Sequence, residues 1–204
     1  MKYIESVRRI FGSDDFPVFT IRDLRIALSD RKVSKDYLYL LLHKLASSGE
    51  ITRITRGIYT FHNDDVFVAG FAFEPFYYGL ECALSIRGLS TQGANPIVIT
   101  TRNVRAGVRT FRGRNYVIRK IKRDYFFGYE PLKYGRFWVP ASGPEKTVID
   151  LVYFGYGIRD DLLDGINKSI DMKKLNAYLK RYGAKFRGKV LSELKTKEKL
   201  SMIA

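Results

Sequence analysis

Residues 33–61 constrain the fold more than any other stretch, because they describe an amphipathic helix, a glycine and a short hairpin. Four leucines follow helical spacing and would share one stripe, namely Leu38, Leu41, Leu42 and Leu45. Ser34 suits the start of this helix, since its hydroxyl can accept a hydrogen bond from a first-turn amide. Gly49 suits its end, where a left-handed residue commonly follows. The sequence therefore predicts a helix between these residues with one buried face.

A two-stranded hairpin is predicted directly after this helix. The β-prone runs Ile51–Ile54 and Ile58–Phe61 are separated by Thr55, Arg56 and Gly57. The glycine supplies the positive φ that a tight turn needs. A helix followed by such a wing is typical of the winged helix-turn-helix.

Two further helices are predicted upstream. The apolar side of the first consists of Ile4, Val7, Ile10 and Phe11, and a turn follows at residues 12–15. Thr20 and Asp23 form a possible capping box that opens the second, with Ile21, Leu24 and Leu28 facing inward. The order of helix, helix, helix and wing matches a DNA-binding winged helix.

The outward face of the third helix and the wing are the predicted DNA-binding surface. Its residues are Ser34, Lys35, Asp36, Tyr37, Tyr39, Leu40, His43, Lys44, Arg53 and Arg56. The first turn of a recognition helix usually contacts base edges, and wing arginines contact phosphates or enter the minor groove. An outward leucine at position 40 would contact a thymine methyl group or a protein partner. A purely structural three-helix domain with an ordinary hairpin is the alternative.

The net charge of the chain favours a polyanionic partner. The formal charge is +15 and the pI is about 9.9, with a basic excess in residues 1–61, 62–140 and 141–204 alike. Cys82 is the single cysteine, which excludes an internal disulfide and a thiolate zinc site, and its apolar neighbours predict a buried, inert thiol. No cofactor or metal is expected.

The sequence also predicts a cytoplasmic protein without a membrane span. The first residues lack the apolar region of a signal peptide, and no apolar run approaches 18 residues. A single cysteine is consistent with a reducing compartment.

An α+β architecture with two domains is predicted. The polar run 62–65 marks the boundary, so that residues 1–62 form the winged helix-turn-helix domain and residues 63–204 a mixed α/β domain. Closely spaced strands between residues 96 and 139 favour a mainly antiparallel sheet, and a helical segment follows from about residue 158. Asp64 and Asp65 are interpreted as part of a solvated linker rather than a metal site, because no third ligand lies nearby in sequence.

Residues 102–123 contain nine basic residues and no acidic one. They are Arg102, Arg105, Arg109, Arg112, Arg114, Arg119, Lys120, Lys122 and Arg123. Interleaved with Phe111 and Tyr116, they could contact phosphates and stack on bases. They could equally form a solvated hairpin face whose charges protect an edge strand.

Ser142 and Glu145 predict a capping box at the start of a largely apolar helix, with Pro144 in its first turn. Glu145 next to Lys146 also permits a nuclease interpretation. Adjacent positions would place the two side chains on opposite faces of a strand, so capping is favoured.

Three stretches resemble the AbiEi-type antitoxins. The wing region Gly49–Tyr59 is similar to their amino-terminal domain, and Tyr78–Leu89 and Pro144–Leu151 are similar to their second domain. The resemblance implies a transcriptional autorepressor that binds inverted repeats in its own promoter, with Arg53 and Arg56 as the matching wing arginines. It also implies a type IV antitoxin that opposes a nucleotidyltransferase-like toxin without forming a stable complex.

The sequence leaves two other classes of function open. One is a protein-interaction module that binds a toxin or another regulator directly, with Leu40 as a candidate contact. The other is an enzyme that processes nucleic acid. Two observations argue against the enzyme: the sequence has only two histidines, and its carboxylates show no cluster with metal-binding spacing. A non-enzymatic regulator of double-stranded DNA is therefore the preferred prediction.

Overall fold

The computed structural model of the protein describes residues 3–90 and 94–201. The chain divides into two compact units. The first extends to Glu74 and also includes Arg109–Tyr116 and Gly135–Phe137, and the second contains the remainder. Among the residues described, helices and strands are both abundant, which confirms the predicted α+β class.

The first unit contains a winged helix. Its elements are α1 (Ile4–Phe11), β1 (Phe19–Thr20), α2 (Ile21–Ala27), a 3-10 turn (Ser29–Arg31), α3 (Lys35–Ser47), β2 (Thr52–Thr55) and β3 (Ile58–Thr60). β3 lies between β1 and β2 and pairs antiparallel with both. Three helices followed by a two-stranded wing is the predicted order, and β1 is a third strand that was not predicted.

The apolar stripe of α3 forms the centre of this unit. All four of its leucines are buried, together with Phe11, Phe19 and Leu24 from the preceding elements. Burial of each such side chain contributes about 1.5–3 kcal/mol relative to exposure. The predicted capping box of α2 is confirmed, since Thr20 N donates to Asp23 Oδ2 over 2.7 Å and Asp23 N donates back to Thr20 Oγ1 over 3.3 Å.

The predicted boundary after residue 62 falls inside the first unit. His62 is buried rather than part of a solvated linker, and its ring packs edge-on against Phe137 at 4.9 Å between centroids. Asp65 accepts a hydrogen bond from Phe67 N over 2.8 Å and so caps a buried 3-10 segment, Val66–Phe73. Long-range apolar packing therefore extends this unit beyond the polar run that suggested a boundary.

Strands and helices follow Glu74, and most of them belong to the second unit. The elements after Glu74 are β4 (Phe76–Tyr78), α4 (Leu80–Ile86), β5 (Ile97–Thr100), β6 (Gly107–Phe111), β7 (Arg114–Lys120), a 3-10 turn (Arg123–Tyr125), β8 (Tyr129–Tyr134), β9 (Phe137–Ser142), α5 (Pro144–Tyr153), α6 (Asp160–Ser169), α7 (Met172–Leu179) and α8 (Ala184–Ser201). Parts of β6, β7 and β9 lie in the first unit. The C-terminal segment is helical, as predicted. Asp171 caps α7 by accepting hydrogen bonds from Lys173 N and Lys174 N.

The sheet of strands β4 to β9 contains both antiparallel and parallel pairs. Its order is β6-β7-β5-β4-β9-β8. The central β4–β5 pair is antiparallel, whereas β5 pairs parallel with β7 and β4 pairs parallel with β9. In both parallel pairs the partners are separated by other strands in the sequence, and this gives the chain enough length to return in the same direction.

The start of α5 differs from the predicted capping box. Gly143 is the N-cap and makes no side-chain cap hydrogen bond. Ser142 Oγ instead lies 2.7 Å from Thr147 Oγ1. Glu145 Oε1 accepts from Asp171 N over 2.9 Å, and Glu145 Oε2 lies 3.0 Å from Lys174 Nζ. Glu145 therefore links α5 to the start of α7 rather than capping its own helix.

A buried ion pair lies in the interior of the second unit. Lys146 Nζ bonds to Asp150 Oδ1 one helical turn later, and both side chains are inaccessible to solvent. Tyr77 OH donates to Asp150 Oδ2 over 2.8 Å, and the Lys146 ammonium lies 5.3 Å from the centre of the Phe127 ring. Burial lowers the pKa of Lys146 and raises that of Asp150, and the attraction between the two charges opposes both shifts.

Cys82 is buried in α4, as predicted, and burial raises the pKa of its thiol to about 12. Such a thiol is protonated at neutral pH and unreactive as a nucleophile. Across residues 3–90 and 94–201, no helix combines the length and apolar character that membrane crossing requires.

We expect Lys146→Met to destabilise the protein by about 3–5 kcal/mol, because it leaves Asp150 buried without its counter-charge. The second substitution Asp150→Asn should recover much of this loss, since the amide oxygen can still accept from Tyr77. The measurement is chemical denaturation at pH 7. Lys180→Met, on the surface of the same unit, is the matched control and should change stability by less than about 0.5 kcal/mol. A Lys146→Met protein as stable as this control would contradict the interpretation.

Candidate nucleic-acid interface

α3 begins and ends where its sequence predicts. Ser34 is the N-cap, and its hydroxyl accepts from Tyr37 N over 3.2 Å. Gly49 follows the helix with φ +74°, a left-handed conformation that costs glycine little. The cap and the stop fix which thirteen residues are helical and hence which side chains point away from the leucine stripe.

The outward face of α3 is exposed as predicted. The exposed members of the predicted set on and before this helix are Ser34, Lys35, Asp36, Tyr39, Leu40, His43 and Lys44. Tyr39 and Leu40 are large side chains that remain 51% and 56% exposed. Lys35 Nζ lies 5.9 Å from the centre of the Tyr39 ring, which places a cation and an aromatic ring side by side in the first turns.

Tyr37 is the member of the predicted set on this helix that does not lie on this face. Its ring packs edge-on against Tyr3 of the first unit at 6.0 Å, and its hydroxyl oxygen is buried. Its position in the first turn suggested a base contact, but residue 37 lies one position before the buried Leu38. The structure therefore assigns it to packing.

The wing presents both predicted arginines to solvent. Gly57 adopts φ +79° in the turn between β2 and β3, and Arg56 precedes it at the tip. Arg53 is exposed on β2, and its Nε donates to Thr55 O over 3.2 Å. The register shifts between Arg53 and Thr55, a β-bulge that increases the local twist of this strand.

Two arginines that sequence reasoning did not select lie next to this face. Arg22 and Arg25 are exposed on α2 and help line a depression of about 200 Å³ between α2 and α3. Lys35 also lines it, so three cations surround this depression. The signal that could have found the arginines is their position in the first turns of α2, directly after the capping box at Thr20.

Several acidic groups of the first unit are engaged in local pairs or caps. Glu50 Oε2 accepts from Arg8 Nε over 2.6 Å, and this contact lowers the pKa of Glu50. Asp23 belongs to the capping box, and Asp30 pairs with Arg31 over 3.0 Å. Asp64 Oδ2 pairs with Arg136 over 2.9 Å. The exposed cations of α2, α3 and the wing therefore define a mainly positive surface, with Asp36 as its acidic member.

The nine residues of the basic stretch are divided between the two units. Three belong to the first unit, namely Arg109, Arg112 and Arg114. The other six belong to the second, namely Arg102, Arg105, Arg119, Lys120, Lys122 and Arg123. Most are exposed, whereas Arg109 lies over the Phe73 ring at 5.1 Å and Arg119 contacts Tyr156.

The nuclease interpretation of Glu145 and Lys146 finds no accessible site. Both side chains are buried in the second unit and engaged by Lys174 and Asp150 respectively. Among the residues that the structure describes, no three histidine, cysteine, aspartate or glutamate side chains are grouped to hold a metal ion.

A protein-family model matches the amino-terminal part of the chain. Residues 11–62 match the family described as "Transcriptional regulator, AbiEi antitoxin", which confirms the resemblance for the winged helix. The two stretches of the second domain that resemble this family lie outside the match. No curated protein matches the chain significantly.

A solved structure shares the fold. The chain is similar to the RV2827C protein from Mycobacterium tuberculosis, with a TM-score of 0.63 and 14% sequence identity over 95% of this chain and 75% of the other. At this identity the similarity describes the fold alone.

Proposed function

We propose, from the match of residues 11–62 to the family of AbiEi antitoxin transcriptional regulators, that the protein regulates transcription by binding double-stranded DNA. In this proposal α3 lies in the major groove and the β2–β3 hairpin is the wing. The observation that carries it is the exposed polar and aromatic face of α3, directly opposite its buried leucines. A helix with one side buried and the other exposed is what groove insertion requires.

The proposed contacts divide into two classes. The exposed side chains of α3 that would contact base edges are Lys35, Asp36, Tyr39, Leu40, His43 and Lys44. Arg53 and Arg56 of the wing, with Arg22 and Arg25 of α2, would contact phosphates. Phosphate contacts supply affinity and orientation, whereas base contacts supply sequence preference.

The proposed phosphate contacts predict how DNA affinity should depend on salt concentration. Arg53→Ala and Arg56→Ala should each weaken binding to every DNA sequence, and each should reduce the slope of log affinity against log salt by about 1. Mobility-shift titrations over a salt series measure both quantities. Arg9→Ala, an exposed arginine on α1, is the matched control and should leave the slope unchanged. An unchanged slope in both wing variants would refute their assignment.

Substitution of a residue that contacts base edges should change the preference for DNA sequence rather than lower the affinity for all sequences equally. We expect His43→Ala to alter the relative affinities for variant binding sites, with about 1–3 kcal/mol of discrimination lost at one base pair. Tyr37→Phe is the control on the same helix, because the hydroxyl it removes is buried away from the exposed face. Selection of sites from a random library measures both. An equal loss of affinity for all sites with His43→Ala would indicate that this residue contacts a phosphate instead of a base.

We further propose that the protein is the autorepressor and antitoxin of a type IV toxin–antitoxin system. The family match of residues 11–62 supports this proposal, which includes binding to inverted repeats in its own promoter and opposition to a nucleotidyltransferase-like toxin without a stable complex. Inverted repeats would require two copies of the chain, one on each half-site.

This finer proposal predicts two separable results. DNA from upstream of its own gene should bind in preference to a shuffled sequence, and disruption of either repeat should weaken binding. Co-expression should relieve growth inhibition by a nucleotidyltransferase-like toxin encoded beside its gene, if one is found there, and the two proteins should elute separately on size exclusion. Preference for the promoter without growth rescue would leave a regulator and remove the antitoxin role. A stable co-eluting complex would instead support direct toxin binding.

A further inference from the structure

One edge of the sheet in the second unit brings several loops together. β5 and β7 are parallel partners, with Ile97 opposite Val117 and Thr100 opposite Lys120. Both strands therefore leave the sheet at the same edge, where β4, which is antiparallel to β5, begins after Pro75. The carboxyl ends of parallel strands are a common position for ligand sites in mixed sheets.

Thr100 holds these loops in place. Its side chain is fully buried, and its Oγ1 donates to Pro75 O over 2.7 Å and accepts from Arg102 N over 3.1 Å. Ile121 N donates to Thr100 O over 3.0 Å, which ties the segment after β7 to the end of β5. These hydrogen bonds preorganise the backbone around the space between the loops.

That space is a pocket of about 490 Å³, lined by Pro75, Thr101, Arg102, Asn103, Arg123 and Phe126. Its volume lies in the range of small-molecule sites, roughly 300–1,000 Å³. The lining combines two guanidinium groups, a hydroxyl, an amide and an aromatic ring. Asn103 Oδ1 accepts from Lys120 Nζ over 3.0 Å, so a third cation lies beside the lining.

The ring of Phe126 packs against two other aromatic rings. Phe126 is half-buried, and its ring centroid lies 5.3 Å from that of Tyr77 and 5.0 Å from that of Tyr129. A ring held in this way can offer its remaining surface to a planar ligand with little loss of conformational entropy.

We propose that this pocket binds a nucleoside phosphate, with the phosphate at Arg102 and Arg123 and the base against Phe126. Guanidinium groups bind phosphate oxygens through paired hydrogen bonds, and an aromatic ring stacks on any base. A paired base inside a duplex does not offer its face for stacking, so the ligand is an unpaired nucleotide, either free or within a single strand. This site is separate in sequence from α3 and the wing, and the inference does not depend on their proposed function.

Calorimetric titration of the full chain tests the proposal. The probes are adenosine 5′-monophosphate, adenosine, inorganic phosphate and single-stranded oligo(dA), and the other three nucleoside monophosphates follow to measure base preference. The monophosphate should bind at least about tenfold more tightly than either adenosine or inorganic phosphate, because it alone occupies both parts of the pocket. Tighter binding of oligo(dA) would identify a single strand as the source, and equal binding would identify the free nucleotide.

Two variants separate the contributions. Arg102→Gln with Arg123→Gln should weaken monophosphate binding at least about tenfold. Lys180→Gln with Arg187→Gln removes the same charge from exposed positions of the same unit and should leave binding unchanged. Phe126→Leu should lose about tenfold for the monophosphate and retain phosphate binding.

Equal loss in the two double variants would overturn the site, since it would indicate a general charge effect. Phosphate and monophosphate affinities that are equal, and unaffected by Phe126→Leu, would overturn the nucleotide assignment. The variant Arg53→Ala with Arg56→Ala should lose duplex affinity and keep monophosphate binding, so failure of the pocket and failure of the DNA-binding proposal give different results.

Discussion

Burial of the leucine stripe of α3 is the constraint on which the winged helix depends. Successive residues of a helix are rotated by about 100°, so the choice of which side chains enter the core also decides which remain outside. Once Leu41 and Leu45 pack against the first two helices, His43 and Leu40 must face solvent. The proposed recognition surface is thus a geometric consequence of core formation, and any change that rotates α3 would alter both at once.

Among the residues described, the second unit differs from the first because it contains a buried ion pair. One ion pair of α5 lies in the interior, where Lys146 and Asp150 neutralise each other and Tyr77 donates a hydrogen bond to Asp150. Removal of one partner of such a pair destabilises a protein more than replacement of both by apolar side chains, because the single change leaves an uncompensated buried charge. The same chain therefore combines an exposed cationic surface in one unit with a neutralised ionic core in the other.

Local signals predicted the winged helix almost completely. The cap at Ser34, the left-handed glycines and the leucine spacing each act within a few residues, so a single sequence displays them. The capping box predicted at Ser142 failed for the opposite reason, since Glu145 is drawn to Asp171 N and Lys174 from a later helix.

Other features depend on contacts that are distant in sequence. The extent of the first unit depends on packing of His62 against Phe137, which no local pattern reveals. The parallel strand pairs and the pocket near Arg102 and Arg123 likewise form only when separate strands become neighbours. Exposed faces can be predicted from helical periodicity, whereas the partners of buried polar side chains require the tertiary fold.

The hydrogen bond from Arg53 Nε to the carbonyl oxygen of Thr55 restricts the conformations of the Arg53 side chain before it contacts a nucleic-acid backbone. A guanidinium already restrained along its strand has fewer rotamers to lose on contact, so part of the ordering is completed when the protein folds. Lysine at this position would bring the same charge on a more mobile stem. This hydrogen bond therefore reduces the conformational entropy that the Arg53 side chain would lose on binding a phosphate.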